Sequence, residues 1–152
     1  MCWTFTASST GYKTMTTEGR NMTDTNTLQR HVDQIAESLT RGITYREAEI
    51  DHTEYDADPD FLISGFDYLE DALDIEYTFN ANGQYLGARI LVAFGGPNIW
   101  VDTRHCTVEG HWWGESAKAD FMDSIGLLDS CEELARMYFE RGDIPCFEDR
   151  SA

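Results

Sequence analysis

Lysine is almost absent from this chain: Lys13 and Lys118 are the only two. Lys and Arg together number 11, against 28 Asp and Glu, for a formal net charge of -17 over 152 residues. A surface so dominated by one sign repels phosphate, which argues against direct nucleic-acid binding and against anionic membranes. No apolar run approaches the roughly 18 residues needed to cross a bilayer. No basic n-region precedes an apolar stretch, as a signal peptide requires. The cysteines Cys2, Cys106, Cys131 and Cys146 form no CxxC pair, and His31, His52, His105 and His111 form no HxxxH pair. Zinc spacing and a disulfide framework are therefore both missing. The cysteines read as reduced thiols in a cytoplasmic protein.

Catalytic signatures are missing as well. Gly95-Gly96-Pro97-Asn98 lacks the lysine and the following helix of a P-loop, and reads as a tight strand connection. The acidic stretches lack the DxDxDG pattern of a calcium loop. No nucleophile-elbow motif supports a Ser-His-Asp site. His105 and Cys106 are adjacent on an expected strand and point apart, so they do not share an ion. No catalytic residue, no metal and no cofactor is expected.

What remains is a foldable acidic domain. Hydrophobic residues make up 41% of the chain and aromatics 12%, enough for a core. An acidic disordered chain lacks such aromatics. Residues 1–24 are Thr- and Ser-rich without apolar periodicity and read as a flexible segment; Met22 offers a second start. Residues 25–142 read as one domain, followed by a tail over 143–152. Leu28, Val32, Ile35 and Leu39 fall on one face of a helix over about 27–41, with Thr25 or Asn26 as cap and Gly42 as terminator. Residues 44–55 are ambiguous. Ser64 to Asp67 is a capping box that opens a short helix.

The period then changes from helical to alternating. Ile75, Tyr77 and Phe79 mark a strand, and Asn82-Gly83 predicts a two-residue hairpin turn. The run Ile90-Leu91-Val92-Ala93-Phe94 predicts a central strand covered on both faces. Strands over 99–103 and 106–113 follow, with 117–121 a candidate short edge. A last helix is expected over 124–141, stopped by Gly142. The predicted fold is α+β: a four-stranded antiparallel meander with helices on one face, in the order α-α-β-β-β-β-α.

Two features point to a partner. Between Glu47 and Glu76 there is no Lys or Arg but many carboxylates, of which Glu47, Glu49, Asp51, Glu54, Asp56, Asp58, Asp60, Glu70 and Asp71 are the candidate contact residues. DNA presents one negative charge per about 1.7 Å of axis, and a folded carboxylate array presents a comparable target to a basic groove. A solvated, salt-adapted surface has the same composition. On the expected strand, Trp112 shares its face with Cys106, Val108 and Gly110 and belongs to the core. Trp113 shares the polar face and reads as an exposed anchor.

Gly-Phe-Asp-Tyr-Leu at 65–69, Gly-Gly-Pro-Asn-Ile at 95–99, Val-Asp-Thr at 101–103 and Val-Glu-Gly-His-Trp-Trp at 108–113 make about a third of the chain resemble small acidic proteins of phages and mobile elements. Some of these are anti-restriction or anti-CRISPR inhibitors. The resemblance implies a non-enzymatic DNA mimic that blocks the nucleic-acid site of a host defence nuclease. It carries no individual residue role over. The partner expected is a basic nucleic-acid-binding protein, and a homodimer is compatible with the sequence. The alternatives are a small hydrolase or transferase using carboxylate chemistry, or an immunity or antitoxin-like protein that neutralises a basic toxin.

Overall fold

The computed structural model describes residues 23–51, 53 and 57–141. The flexible segment and the tail expected at the two ends therefore lie outside the described residues, except that Thr23 and Asp24 belong to the first helix. Gly142, the expected terminator of the last helix, lies outside them too. Helix α1 spans Thr23–Arg41 and α2 spans Gly65–Glu70. Strands follow at β1 Asp74–Phe79, β2 Tyr85–Ala93, β3 Asn98–Asp102, β4 Thr107–Trp112 and β5 Glu115–Asp120, and helix α3 follows at Leu127–Arg141. The α+β class stands, but the sheet has five antiparallel strands in simple meander order, not four. Residues 115–120, where the sequence offers only a candidate short edge over 117–121, pair with β4 along its whole length.

Register explains the layering. Ile75, Ile90, Val101, Val108 and Ala119 lie opposite one another in one row, and all pack in the main core. All three helices add to that core, through Leu28, Val32, Ala36 and Leu39 of α1, Leu69 of α2, and Leu127, Cys131 and Ala135 of α3. The other face carries Glu76, Arg89 and Asp102 in one row and Leu91, Trp100, Glu109 and Lys118 in the next. Leu91 and Trp100 stand outside the main core. The apolar run lies in an interior strand, as expected: Ile90 meets the helices, and Leu91, on the other face with Trp100 opposite it, is buried too. Val92 is a bulge, and Phe94 has left the sheet.

Glycine seats α1. A Cβ on Gly110 would come within 2.7 Å of Val32 Cγ2 and 2.9 Å of Leu28 Cδ1. The helix can therefore lie close on β4 and β5 only where the strand has no side chain. Gln29 Nε2 donates to the Lys118 carbonyl near the start of this contact. The Met122 amide donates to Thr40 Oγ1 near its end. Helix α1 therefore runs the same way as β5. It begins at Thr23, ahead of the apolar stripe expected from the sequence, so Thr25 and Asn26 are inside the helix and not at its cap. Gly42 ends it in the left-handed region at φ 89°, its N–H donating to Ser38 O.

The turns correct the sequence reading in a specific way. Asn82-Gly83 is not a two-residue turn. Gly83 N–H donates to Asn80 O, Gly83 sits at φ 77°, and Asn80 pairs with Gln84 around a three-residue loop. Asn80 Oδ1 accepts from the amides of Asn82 and Gln84, which ties the longer loop down. Two consecutive left-handed residues are what a two-residue hairpin turn needs. They are found at the β4–β5 hairpin, where Trp113 has φ 50° and Gly114 φ 87°. Helix α3 starts at Leu127, later than 124, because Asp123 takes the amides of Ile125, Leu127 and Leu128 on its carboxylate and so caps the helix from outside. The Ser64–Asp67 capping box forms as expected, with Asp67 Oδ2 accepting from Ser64 N at 2.8 Å.

Gly110→Ala should therefore destabilise the domain by about 1–3 kcal/mol in urea unfolding, since the added methyl overpacks the α1 seat. Gly96→Ala, where a Cβ would meet nothing within 4 Å, should leave the midpoint unchanged. Equal midpoints for the two variants would contradict the close approach.

Candidate functional site: an acidic lobe and an exposed tryptophan

The acidic tract forms a lobe at the C-terminal end of α1. Thr44 and Leu62 make an isolated antiparallel bridge, and Ile43, Ala48 and Ile63 build a small second core. Tyr68 of α2 packs against both this cluster and the main one, which joins the lobe to the body. Tyr45 Oη donates to Asp67 Oδ2 at 3.3 Å across the same junction.

Four of the seven candidate carboxylates among the described residues are occupied locally. Glu47 pairs with Arg41 at 3.0 Å and accepts from the Thr44 amide. The Arg41 hydrogen bond, followed by the Thr44 amide, holds its carboxyl below the usual range. Asp51 accepts from the Thr53 amide, Asp58 from the Asp60 amide, and Asp60 pairs with Arg46 at 3.0 Å. These groups close turns. The side chains of Glu49, Glu70 and Asp71 have no hydrogen bond or ion pair among the described residues. Glu49 and Glu70 are exposed and Asp71 is half-buried. Glu54 and Asp56 lie outside the described residues. One acidic strip escaped the sequence reading. Asp33 and Glu37 on α1 meet Asp120 on β5 along a shallow groove of about 390 Å³ that ends at Thr40 and Arg41. Its only sequence trace is the i, i+4 spacing of Asp33 and Glu37, and Asp120 joins them through the sheet alone.

Trp113 is not part of this surface. It is 92% exposed at the β4–β5 turn. That turn lies beside the N-terminal half of α1, whereas the lobe follows the C-terminus of this helix. A helix of this length spans about 28 Å, at a rise of about 1.5 Å per residue. The exposure expected for Trp113 is found, but its cause is the turn, since β4 ends at Trp112. Trp112 packs against the main core on the face of Val108 and Gly110, as expected. Cys106 precedes β4 in a turn, at φ 53°, so strand alternation does not place it; it still packs against the main core.

The histidine reading resolves into a turn clasp. Asp102 is buried, and its Oδ1 accepts from the amides of Arg104 and His105 while Oδ2 meets His105 Nδ1 at 2.8 Å. Among the described residues, no group of three or more His, Cys, Asp or Glu is placed to hold a metal ion. The buried Cys131 thiol is pushed up to about 12, chiefly by burial and secondarily by Asp123. It therefore stays protonated and unreactive at neutral pH. No family model, characterised protein sequence or solved structure matches this chain.

The Asp102 clasp has a pH signature. Burial alone would raise its carboxyl, but the His105 ring and the two amides together hold it below the ordinary value. A depressed carboxyl contributes stability above its unfolded value, about 3.9, and loses it as pH falls through the lower folded value. Asp102→Asn should therefore cost about 1–3 kcal/mol at pH 7, with the gap to wild type closing below about pH 4. Urea titrations at pH 7 and pH 3 check this; a gap of constant size would remove the clasp's role.

Proposed function

We propose that this protein is a non-enzymatic acidic inhibitor that occupies the nucleic-acid groove of a basic protein, a host defence nuclease being the target class implied by the sequence resemblance. The observation that carries the reading is the division of labour among the carboxylates. Glu47, Asp51, Asp58, Asp60 and Asp67 hold turns of the tract, while Glu49 on the lobe and Glu70 and Asp71 at the end of α2 are left unpaired. A structured scaffold that leaves selected carboxylates uncommitted suits cationic recognition, because those groups lose no internal bond when a guanidinium or ammonium docks. The net charge of -17 adds long-range attraction to any cationic groove. A second reading is favoured by the acids spread over α1 and α3, such as Asp33, Glu37, Asp129 and Glu133: a surface adapted to high salt.

The two readings respond oppositely to one experiment. A restriction endonuclease and a CRISPR effector are assayed for DNA cleavage with increasing amounts of the protein, at several KCl concentrations. Mimicry predicts inhibition that weakens steeply as salt rises, since exposed charges are screened within about 10 Å at roughly 0.1 M. Replacing Glu49, Glu70 and Asp71 together with Lys should abolish inhibition with little change in melting temperature. Salt adaptation alone predicts a melting temperature that climbs with KCl and no inhibition of either enzyme at any salt.

A further inference from the structure

Trp113 is disfavoured twice over. Its backbone is in the left-handed region, which suits a bulky side chain poorly, and its indole is almost wholly in water. Asn or Gly at this turn position would relieve both. The topology shows what shares its surroundings. Strand β1 begins, and β2 ends, at the same end of the sheet as the β4–β5 turn. Leu73, whose amide donates to Leu91 O, precedes β1 there, and Phe94 opens the β2–β3 connection. Leu73 is 59% exposed and Phe94 73% exposed. In sheet order this end thus presents Leu73, Phe94 and Trp113, an apolar row across strands spaced about 4.8 Å apart.

The charges that flank the row along the chain have one sign. Asp71 and Asp74 flank Leu73, and Glu115 lies opposite Trp112 beside the turn. No Lys or Arg occurs in 70–76, 92–99 or 110–117. A second copy of the chain would bring like charges together here. We infer that this end of the sheet is a protein-docking surface, where Trp113 and Phe94 anchor a cationic partner that carries apolar side chains among its Arg and Lys residues. The inference rests on the basic-partner reading above and adds to it a second contact region, next to Asp71 and at the opposite end of α1 from Glu49. Charge would bring the partner in, and the apolar row would hold it, as aromatic anchors do at interface centres.

The test uses two labelled peptides of equal length and charge, one alternating Arg with Leu and the other alternating Arg with Ser, in anisotropy titrations. The variant is Trp113→Asn with Phe94→Ser, in which Asn suits the left-handed turn, so melting should not fall. Wild type should bind the Arg/Leu peptide about tenfold or more tightly than the Arg/Ser peptide. The variant should lose that advantage and keep its Arg/Ser affinity. The Trp113 indole N–H resonance should shift only with the Arg/Leu peptide. An advantage that survives in the variant overturns the proposal. So does a wild type that sediments as a dimer while the variant is a monomer, which would assign the row to a second copy. Equal binding of both peptides with a silent indole overturns the docking row and leaves the basic-partner reading intact. Failure of either peptide to bind at low salt removes both.

Discussion

The architecture depends on one close approach. Helix α1 can reach the sheet because Gly110 offers no side chain where Leu28 and Val32 descend. Ala117 and Ala119 on β5 keep the neighbouring positions small. The helix lies along β5, and its far end fixes the segments that follow. Thr40 receives the Met122 amide on its hydroxyl and the Ser124 hydroxyl on its carbonyl, which brings the β5–α3 connection to the helix terminus. Gly42 then turns the chain into the acidic lobe, with Leu62 folded over it. A shift of α1 by one methyl would be transmitted to the lobe, to the start of α3 and to the groove beside Asp33.

Ion pairs do not hold this molecule together. Arg41, Arg46, Arg89, Lys118 and Arg136 each pair with a carboxylate at the surface, where such contacts contribute little. Stability comes from the apolar layer, and the carboxylates contribute through backbone amides. Asp67, Asp102 and Asp123 each take two or more amide or hydroxyl donors at a turn or helix start. Acidic residues are thus compatible with a compact state here because many are structural acceptors whose donors would otherwise be unsatisfied.

Much of the fold is legible in the sequence, and the errors have physical causes. Helix α1, the Ser64 capping box and the strands around 75 and 90 are local patterns, and each can be read directly. The fifth strand cannot, because Glu115-Ser116-Ala117-Lys118-Ala119-Asp120 has weak strand propensity and forms through pairing with β4. Asn82-Gly83 fails as a turn signal because Asn80 supplies a side-chain acceptor that favours the longer loop. The candidate site is legible in composition only. Which carboxylates are engaged in turns, and that Trp113 lies at the opposite end of α1 from the lobe, depend on tertiary placement. Strand alternation leads to the exposure of Trp113, although a left-handed turn is what produces it.

Among the described residues no strand pairs with the outer edge of β1, which carries Asp74 and Glu76; the Ile75 amide between them donates to Asp74 Oδ1. Such an edge is a template for pairing with another chain, and inward-facing or flanking charge is how natural sheets guard against it. The guard in this protein is a titratable one. Near the isoelectric point of about 4.3 the net charge vanishes, and mutual repulsion between molecules vanishes with it. Acidity that keeps the molecules apart at neutral pH therefore makes colloidal behaviour a steep function of proton concentration, with the β1 edge as the seam along which molecules would first join into continuous sheets.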